Sequence, residues 1–195
     1  MKHIAILFLS LSQLGLCQNA KSSVSQGIKL GKKEYFCSIY LNNGKTLSVI
    51  IDKDLSLGTF SNLHGRTKEG KVSLPVSEID SVVSSKAKYV RHEDKFLLLV
   101  SEGEKLTLFS SKEVNTRSGI GPSGVPQGSY QTFYTVYYVR KPSQEAILEV
   151  PRKKKDFIEF GDIFSDCPYI QNSIKSGSIS YEGFGEIVRM YNLCK

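Results

Sequence analysis

The segment from Asp156 to Lys195 reads DFIEFGDIFSDCPYIQNSIKSGSISYEGFGEIVRMYNLCK. Its apolar residues recur three and four apart, the helical spacing, whereas upstream they alternate or run in short β-branched blocks. Asp156, followed three residues on by Glu159, is an Asp variant of the capping box and predicts a helix start. Phe157, Phe160, Ile163 and Phe164 then share one face, an aromatic stripe that has to be buried. Gly161 within that stripe costs about 1 kcal/mol relative to alanine, which predicts a close approach of another element. Ser165 or Asp166 is expected to cap a second short helix, with Pro168 in its first turn and Cys167, Ile170 and Ile174 on one side. Gly177 is a natural stop. Ser180 opens a third helix, whose Phe184, Ile187, Val188 and Tyr191 follow the i, i+3, i+4, i+7 template. The stretch reads as a helical lid, residues 156–195, and its aromatics as packing rather than as a cofactor site.

The body under that lid is β-rich. Tyr35 to Leu41 and Thr46 to Ile51 flank Asn42-Asn43-Gly44-Lys45, a strong hairpin signal. Leu55 to Phe60 and Val72 to Val76 are weaker strand candidates separated by a charged turn, His64 to Lys71. Pro75 puts the second of them at an edge or a bulge. Ser77 to Asp80 reads as a turn or one helical turn, with Ser81 to Ser85 following. Lys88 to Arg91, Lys95 to Ser101 and Lys105 to Ser110 predict three successive antiparallel strands. Phe96-Leu97-Leu98-Leu99-Val100 is apolar on both faces, so its strand should be central. Lys112 to Ser129, rich in Gly, Ser and Pro, reads as a long mobile flap. Tyr130 to Arg140 is the best single strand and should pair with Ala146 to Val150. About eight short strands followed by segregated helices define an α+β fold. The expected architecture is an antiparallel sheet, curved or partly barrel-like, with a C-terminal helical lid. Residues 34–151 and 156–195 are expected to share one domain, 34–195.

The N-terminus reads as a secretory signal, residues 1–17: Lys2, an apolar Ile4 to Leu16, and small residues Gly15 and Cys17 before Gln18. That apolar run is shorter than the about 20 residues that span a bilayer, so no transmembrane helix is expected in the mature chain. Two alternatives stay open. Cys17 is a possible lipidation site of an outer-membrane lipoprotein, although Leu16 is larger than lipoprotein processing favours, and cleavage after Ala20 leaves Gln18 at −3. Gln18 to Lys33 is polar and aperiodic, a flexible leader.

Export sets the cysteine chemistry. Of the three cysteines left, Cys167 and Cys194 are expected to pair, a closure contributing about 3–4 kcal/mol in the chain-entropy model. Cys37, in an apolar strand, remains as a buried thiol. The chain has 26 Lys and Arg against 19 Asp and Glu. In an exported protein this balance points to a soluble basic surface or a mild attraction to anionic lipid or polysaccharide, not to nucleic acid.

Signatures of catalysis are sparse. Gly119-Ile120-Gly121-Pro122-Ser123-Gly124 matches G-x-G-x-x-G, but Val125-Pro126-Gln127 and a strand follow where the fingerprint needs a helix. His92, beside Glu93 and Asp94, is the weak catalytic candidate, for a hydrolase in which folding brings a serine or carboxylate to it. His64 lies in another turn-like segment. Neither histidine has a second ligand at metal spacing, and neither metal nor cofactor is expected. Arg152-Lys153-Lys154-Lys155 reads as a solvated approach to the lid.

Leu106-Thr107-Leu108-Phe109, then Phe133-Tyr134 through Tyr138-Val139-Arg140-Lys141, Phe157 to Phe164, Asp166-Cys167-Pro168 and Glu186 to Asn192 follow in a telling order. From Val72 to Asn192 the chain resembles an uncharacterised family of small exported Bacteroidetes proteins that close on a D-C-P segment and a Y-N pair. The resemblance implies export and a shared scaffold and brings no activity. The expectation is therefore a non-enzymatic binding or interaction module of the bacterial cell envelope, periplasmic or secreted, whose partner is an envelope protein, lipid or polysaccharide. The alternatives are the His92 hydrolase and a structural component that pairs through an edge strand.

Overall fold

The Asn42-Asn43-Gly44-Lys45 segment turns the chain as its composition predicts. Gly44 takes φ 80°, a left-handed conformation open to glycine without a Cβ penalty, and Asn43 Oδ1 accepts the Lys45 N–H at 3.0 Å. The turn joins β1 (Tyr35–Leu41) to β2 (Thr46–Ile51), with Cys37 opposite Val49 and Ile39 opposite Leu47. The structure, a computed structural model, describes residues 34–120 and 126–194. The expected signal segment with Cys17, the leader 18–33 and most of the glycine motif lie outside the described residues.

Eight further strands follow: β3 (Asn62–Arg66), β4 (Lys71–Pro75), β5 (Ile79–Ser84), β6 (Lys88–His92), β7 (Lys95–Ser101), β8 (Thr107–Ile120), β9 (Pro126–Arg140) and β10 (Leu148–Glu149). All ten form one antiparallel sheet in the order β10-β9-β8-β7-β6-β5-β1-β2-β3-β4. The sheet is open, with β10 and β4 as its edges, and does not close into a barrel. β7 is central, as its two-sided apolar run requires, and Phe96 and Leu97 are fully buried on its opposite faces.

Three expectations for the strands are corrected. Leu55 to Phe60 is not a strand but a connection that makes single bridges, Leu57 to Lys112 and Thr59 to Lys95. Part of the supposed charged turn is β3, hidden because Asn-Leu-His-Gly-Arg carries one apolar side chain. β3 is a strand because β4 pairs along its whole length, Leu63 opposite Leu74. At Gly65 it crosses β2 so closely that a Cβ would stand 2.8 Å from the Ile50 carbonyl oxygen. The third correction is the largest. Within the expected flap, Lys112 to Ile120 and Pro126 to Ser129 are strand: β8 and β9 pair antiparallel from Thr107 opposite Arg140 to Ile120 opposite Pro126, and 121–125 lie outside the described residues. The Ser, Asn and Gly content of the flap is poor in strand formers, but register with the tyrosine-rich partner strand supplies the backbone hydrogen bonds that propensity does not.

The lid comprises α1 (Lys154–Phe160), α2 (Pro168–Lys175) and α3 (Phe184–Leu193), with 3₁₀ turns at Gly161–Phe164 and Tyr181–Gly183. Asp156 is not a cap. α1 begins after Lys153, and Asp156 lies in its first turn, where a carboxylate meets the positive helix end. Likewise Cys167, not Ser165 or Asp166, precedes α2, with Pro168 at its first position. Gly161 does approach another element, as a Cβ there would sit 3.0 Å from Ile174 Cγ2 of α2.

Phe184 is the hub of the lid core. Its ring meets Tyr137 of β9 at 5.7 Å and Phe157, Phe160 and Phe164 at 6.0–6.2 Å. These aromatics bury one sheet face at Leu108 and Val139. The same face at the other end of the sheet buries Cys37, Ile39, Val49, Ile51 and Val82 under Leu55 and Leu63. On the reverse face lie Leu97, Phe109, Val136 and Tyr138.

The chain terminus is latched to the sheet. Asn192 Oδ1 accepts the Lys105 and Leu106 N–H groups at 3.1 and 2.9 Å, and its Nδ2 donates to the Leu106 carbonyl at 2.9 Å. Gly103 makes room, since any Cβ there would overlap the Asn192 amide at 2.2 Å. Tyr191 donates to Asp166 Oδ1 at 2.6 Å, and Lys105 Nζ reaches Asp166 Oδ2 at 3.3 Å. Cys167 and Cys194 are joined by a disulfide closing 27 residues. The hydrogen bond from Tyr191 holds the Asp166 carboxyl below the usual carboxylate range, with partial burial opposing and Lys105 assisting.

Two outcomes follow from the latch. Asn192→Ala strands three backbone groups and should lower stability by about 2–3 kcal/mol, a fall in Tm of roughly 5–10 °C for a domain of this size. Gly103→Ala should act in the same direction through the amide it displaces. Calorimetry of the two variants and of the reduced protein checks this. Because the Asp166 pKa is depressed on folding, its contribution is present above the unfolded carboxylate range, near pH 4, and is lost as pH falls through the folded value. The stability gap between wild type and Asp166→Asn should therefore be widest at neutral pH and narrow below about pH 4 in denaturant titrations.

Candidate functional site

Three features of the described residues gather candidate functional side chains. The first is a groove of about 610 Å³, within the usual size of small-ligand sites, about 300–1,000 Å³. β1 places Cys37 and Tyr35 along it because the strand period of two turns both to one face. β6 adds Tyr89, β7 adds Leu98, and the connection after β2 adds Leu55. The turn between β5 and β6 brings Lys86 to the rim, held by Ser84 Oγ, which accepts the Lys86 and Ala87 N–H groups. Lys86 Nζ lies 5.4 Å from the Tyr35 ring centre. On the opposite rim Asp54 accepts Ser56 N–H at 3.0 Å and its hydroxyl at 2.7 Å, and Lys112 Nζ at 3.0 Å. Partial burial raises the Asp54 carboxyl, but the Ser56 hydrogen bonds and the Lys112 ammonium outweigh it and hold it below its ordinary value.

Cys37 is the free thiol expected from the sequence, and it is buried. Burial pushes it up to about 11. It is thus a weak nucleophile, and no neighbouring charge offsets the effect of burial.

The second feature surrounds His92. The structure places His92 at the end of β6, half-buried, its ring edge-on to Tyr138 at 5.8 Å. Among the described residues no serine, cysteine or carboxylate hydrogen-bonds it. The nearby polar chemistry belongs to residues not singled out from the sequence. Lys95 Nζ donates to the Tyr138 hydroxyl at 2.9 Å and approaches Glu113 at 3.4 Å, and Tyr134 donates to Glu113 at 2.9 Å. Arg152, from the basic run, lies 4.2 Å from the centre of the Tyr134 ring. Burial lowers the Lys95 ammonium, but Tyr138 and Glu113 together outweigh it and leave it above its ordinary value. The hydrogen bond to Glu113 raises Tyr134. A lysine held protonated beside a committed carboxylate is a brace, not an acid–base pair. The period-two placement of Tyr134 and Tyr138 was the available signal; the pairing with Glu113 and Lys95 depends on strand order.

The third feature is an arm. β8 is buried from Thr107 to Ser111, then turns outward at Lys112, and β9 does the same before Val136. Past those points no other described strand pairs with either one beyond the Leu57 bridge to Lys112. The hairpin thus extends for roughly 20 Å, given about 3.4 Å per residue. Val114 and Phe133 face each other on it, 37% and 59% exposed. They continue the apolar face that the lid covers at Leu108 and Val139.

Among the described residues no three His, Cys, Asp or Glu side chains assemble as a metal site. No helix of the described residues is long and apolar enough to cross a membrane. Gly119 and Ile120 end β8, and β9 rather than a helix follows from Pro126. No protein-family model, curated protein or solved structure matches the chain.

The buried thiol carries a direct outcome. At about pH 8 Cys37 should react with iodoacetamide at least tenfold more slowly in the native protein than in the urea-unfolded chain, where its pKa returns to about 8.5. Mass spectrometry of the alkylated protein reads the rate.

Proposed function

We propose that this chain is a non-enzymatic interaction module, exported to the envelope of a Gram-negative, Bacteroidetes-type cell, that holds a protein partner along the β8–β9 arm. The observation that carries the reading is the exposed Val114–Phe133 pair beside an unpaired strand edge. On that edge the Tyr137 N–H is taken by the Tyr181 hydroxyl, the Tyr137 carbonyl by Val150 N–H, and the Thr135 carbonyl by the Tyr181 hydroxyl. The strand period turns the N–H and C=O groups of Phe133 and Gln131 the same way, past the end of β10. An extended apolar segment of a partner adds there as a strand and covers Phe133, so the interaction and edge-pairing expectations meet in one surface. The same reading takes the sheet as curled, because the connection after β2 reaches Lys95 and Lys112 of β7 and β8. A hydrolase built on His92 gains no support from a ring packed on Tyr138 without a hydrogen-bonded partner.

The test is photo-crosslinking in intact cells with a benzophenone amino acid at Gln131. The expected product is a single envelope protein joined to a chain beginning at Gln18, lost when Phe133→Asp is added. Because Phe133 is exposed, that change should alter stability by no more than about 0.5 kcal/mol. Crosslinks that persist in Phe133→Asp, or that form only with lipid or polysaccharide, would overturn the reading.

A further inference from the structure

The groove beside β1, which meets the arm only at Lys112, carries cations that the described residues leave without a carboxylate partner. Of its three rim lysines, Lys112 is committed to Asp54. Lys53 and Lys86 are exposed and, among the described residues, have no carboxylate partner. Besides Asp54, which is committed to Lys112, Asp52 is the one carboxylate of the lining, and it borders a second, smaller groove with Arg66 and Lys71 as well. The rest of the lining is apolar and aromatic: Leu98, Leu55, the Cys37 thiol and the rings of Tyr89 and the more exposed Tyr35. A polar ligand would leave those apolar groups wet, and an uncharged apolar one would leave the two ammonium groups without a counter-charge.

We propose that this groove binds a small amphipathic organic anion, its acid group between Lys53 and Lys86 and its aliphatic or aromatic body over Leu98, Cys37 and Tyr89. The volume of about 610 Å³ accommodates such a molecule. Burial raises Tyr89 above its ordinary value, so its phenol stays protonated and its hydroxyl, without a partner among the described residues, is a donor for the acid group. The site needs no movement of Cys37, which supplies floor rather than chemistry.

The experiment uses the full mature chain and the fluorescent sulfonate 1-anilinonaphthalene-8-sulfonate, displaced by decanoate or by neutral decanol. Decanoate should displace the dye competitively, and decanol at least about tenfold less well. Lys53→Gln/Lys86→Gln should weaken decanoate by about tenfold or more, as loss of two rim charges from a partly desolvated site requires. Lys153→Gln/Lys155→Gln, which removes the same charge at the start of the lid, should bind as wild type does. Both variants alter exposed side chains, and circular dichroism establishes that each is folded. The proposal is overturned if decanoate shows no saturable displacement up to about 1 mM, a range weaker than about −4 kcal/mol of binding. Equal displacement by decanol, or equal loss in the two lysine variants, also overturns it.

Discussion

Three hydrogen bonds from one side chain tie the last helix to the sheet. Asn192 treats Leu106 as a neighbouring strand would, accepting and donating to its main chain, and it also takes the Lys105 N–H. Leu106 is fully buried, so its backbone groups would otherwise have neither water nor a strand partner. Around this contact the remaining terminal residues find their places. Tyr191 and Asp166 join α3 to the start of α2, Lys105 joins both to the sheet, and the disulfide closes the same corner. The D-C-P and Y-N segments, remote in sequence, are thus two halves of one fastening. With the corner fixed, the aromatic cluster around Phe184 has a defined seat on β8 and β9.

That seat decides what is left for function. The lid covers the apolar face of the β8–β9 hairpin as far as Tyr137 and Leu108 and no further. Val114 and Phe133 continue the face into solvent, and the outer edge of β9 is uncovered beyond Thr135. At the far end of the sheet, Leu55 of the connection after β2 packs in one cluster with Leu63 and Val82 and, with Tyr35 and Tyr89, borders the groove. The two candidate surfaces are therefore both consequences of partial cover: one sheet has more length than its lid and its connections can hide. Between them, Lys95, Glu113, Tyr134 and Tyr138 brace β7, β8 and β9 where the connection begins to part β7 from β8.

Legibility in the sequence followed the range of the interaction. The Asn-Gly turn, the two-sided apolar run of β7 and the three-four spacing of Phe157 to Phe164 and Phe184 to Tyr191 are local signals, and each led to the observed element. β3 escaped because its single apolar residue, Leu63, is held by a partner strand rather than by its own pattern. The arm escaped for a related reason. Ser118, Gly119 and Ser129 have loop composition, and only the register with β9 makes a strand of residues 112–120. Asp156 misled in the opposite sense: a capping-box pattern was present, but the chain entering from Pro151 started the helix three residues earlier, after Lys153.

The sequence by itself determined the class of fold, the segregation of strands from helices, the central position of β7 and the pairing of the two lid cysteines. These rest on periodicity, on turn chemistry and on the small number of cysteines, which act over a few residues or by elimination. Only the tertiary structure decided that Asn192 meets Leu106, that β8 and β9 outrun the lid, and that Cys37, Tyr89 and Lys86 share one groove. Those facts join residues tens of positions apart, and their cause is the order of strands in the sheet, which no local pattern encodes.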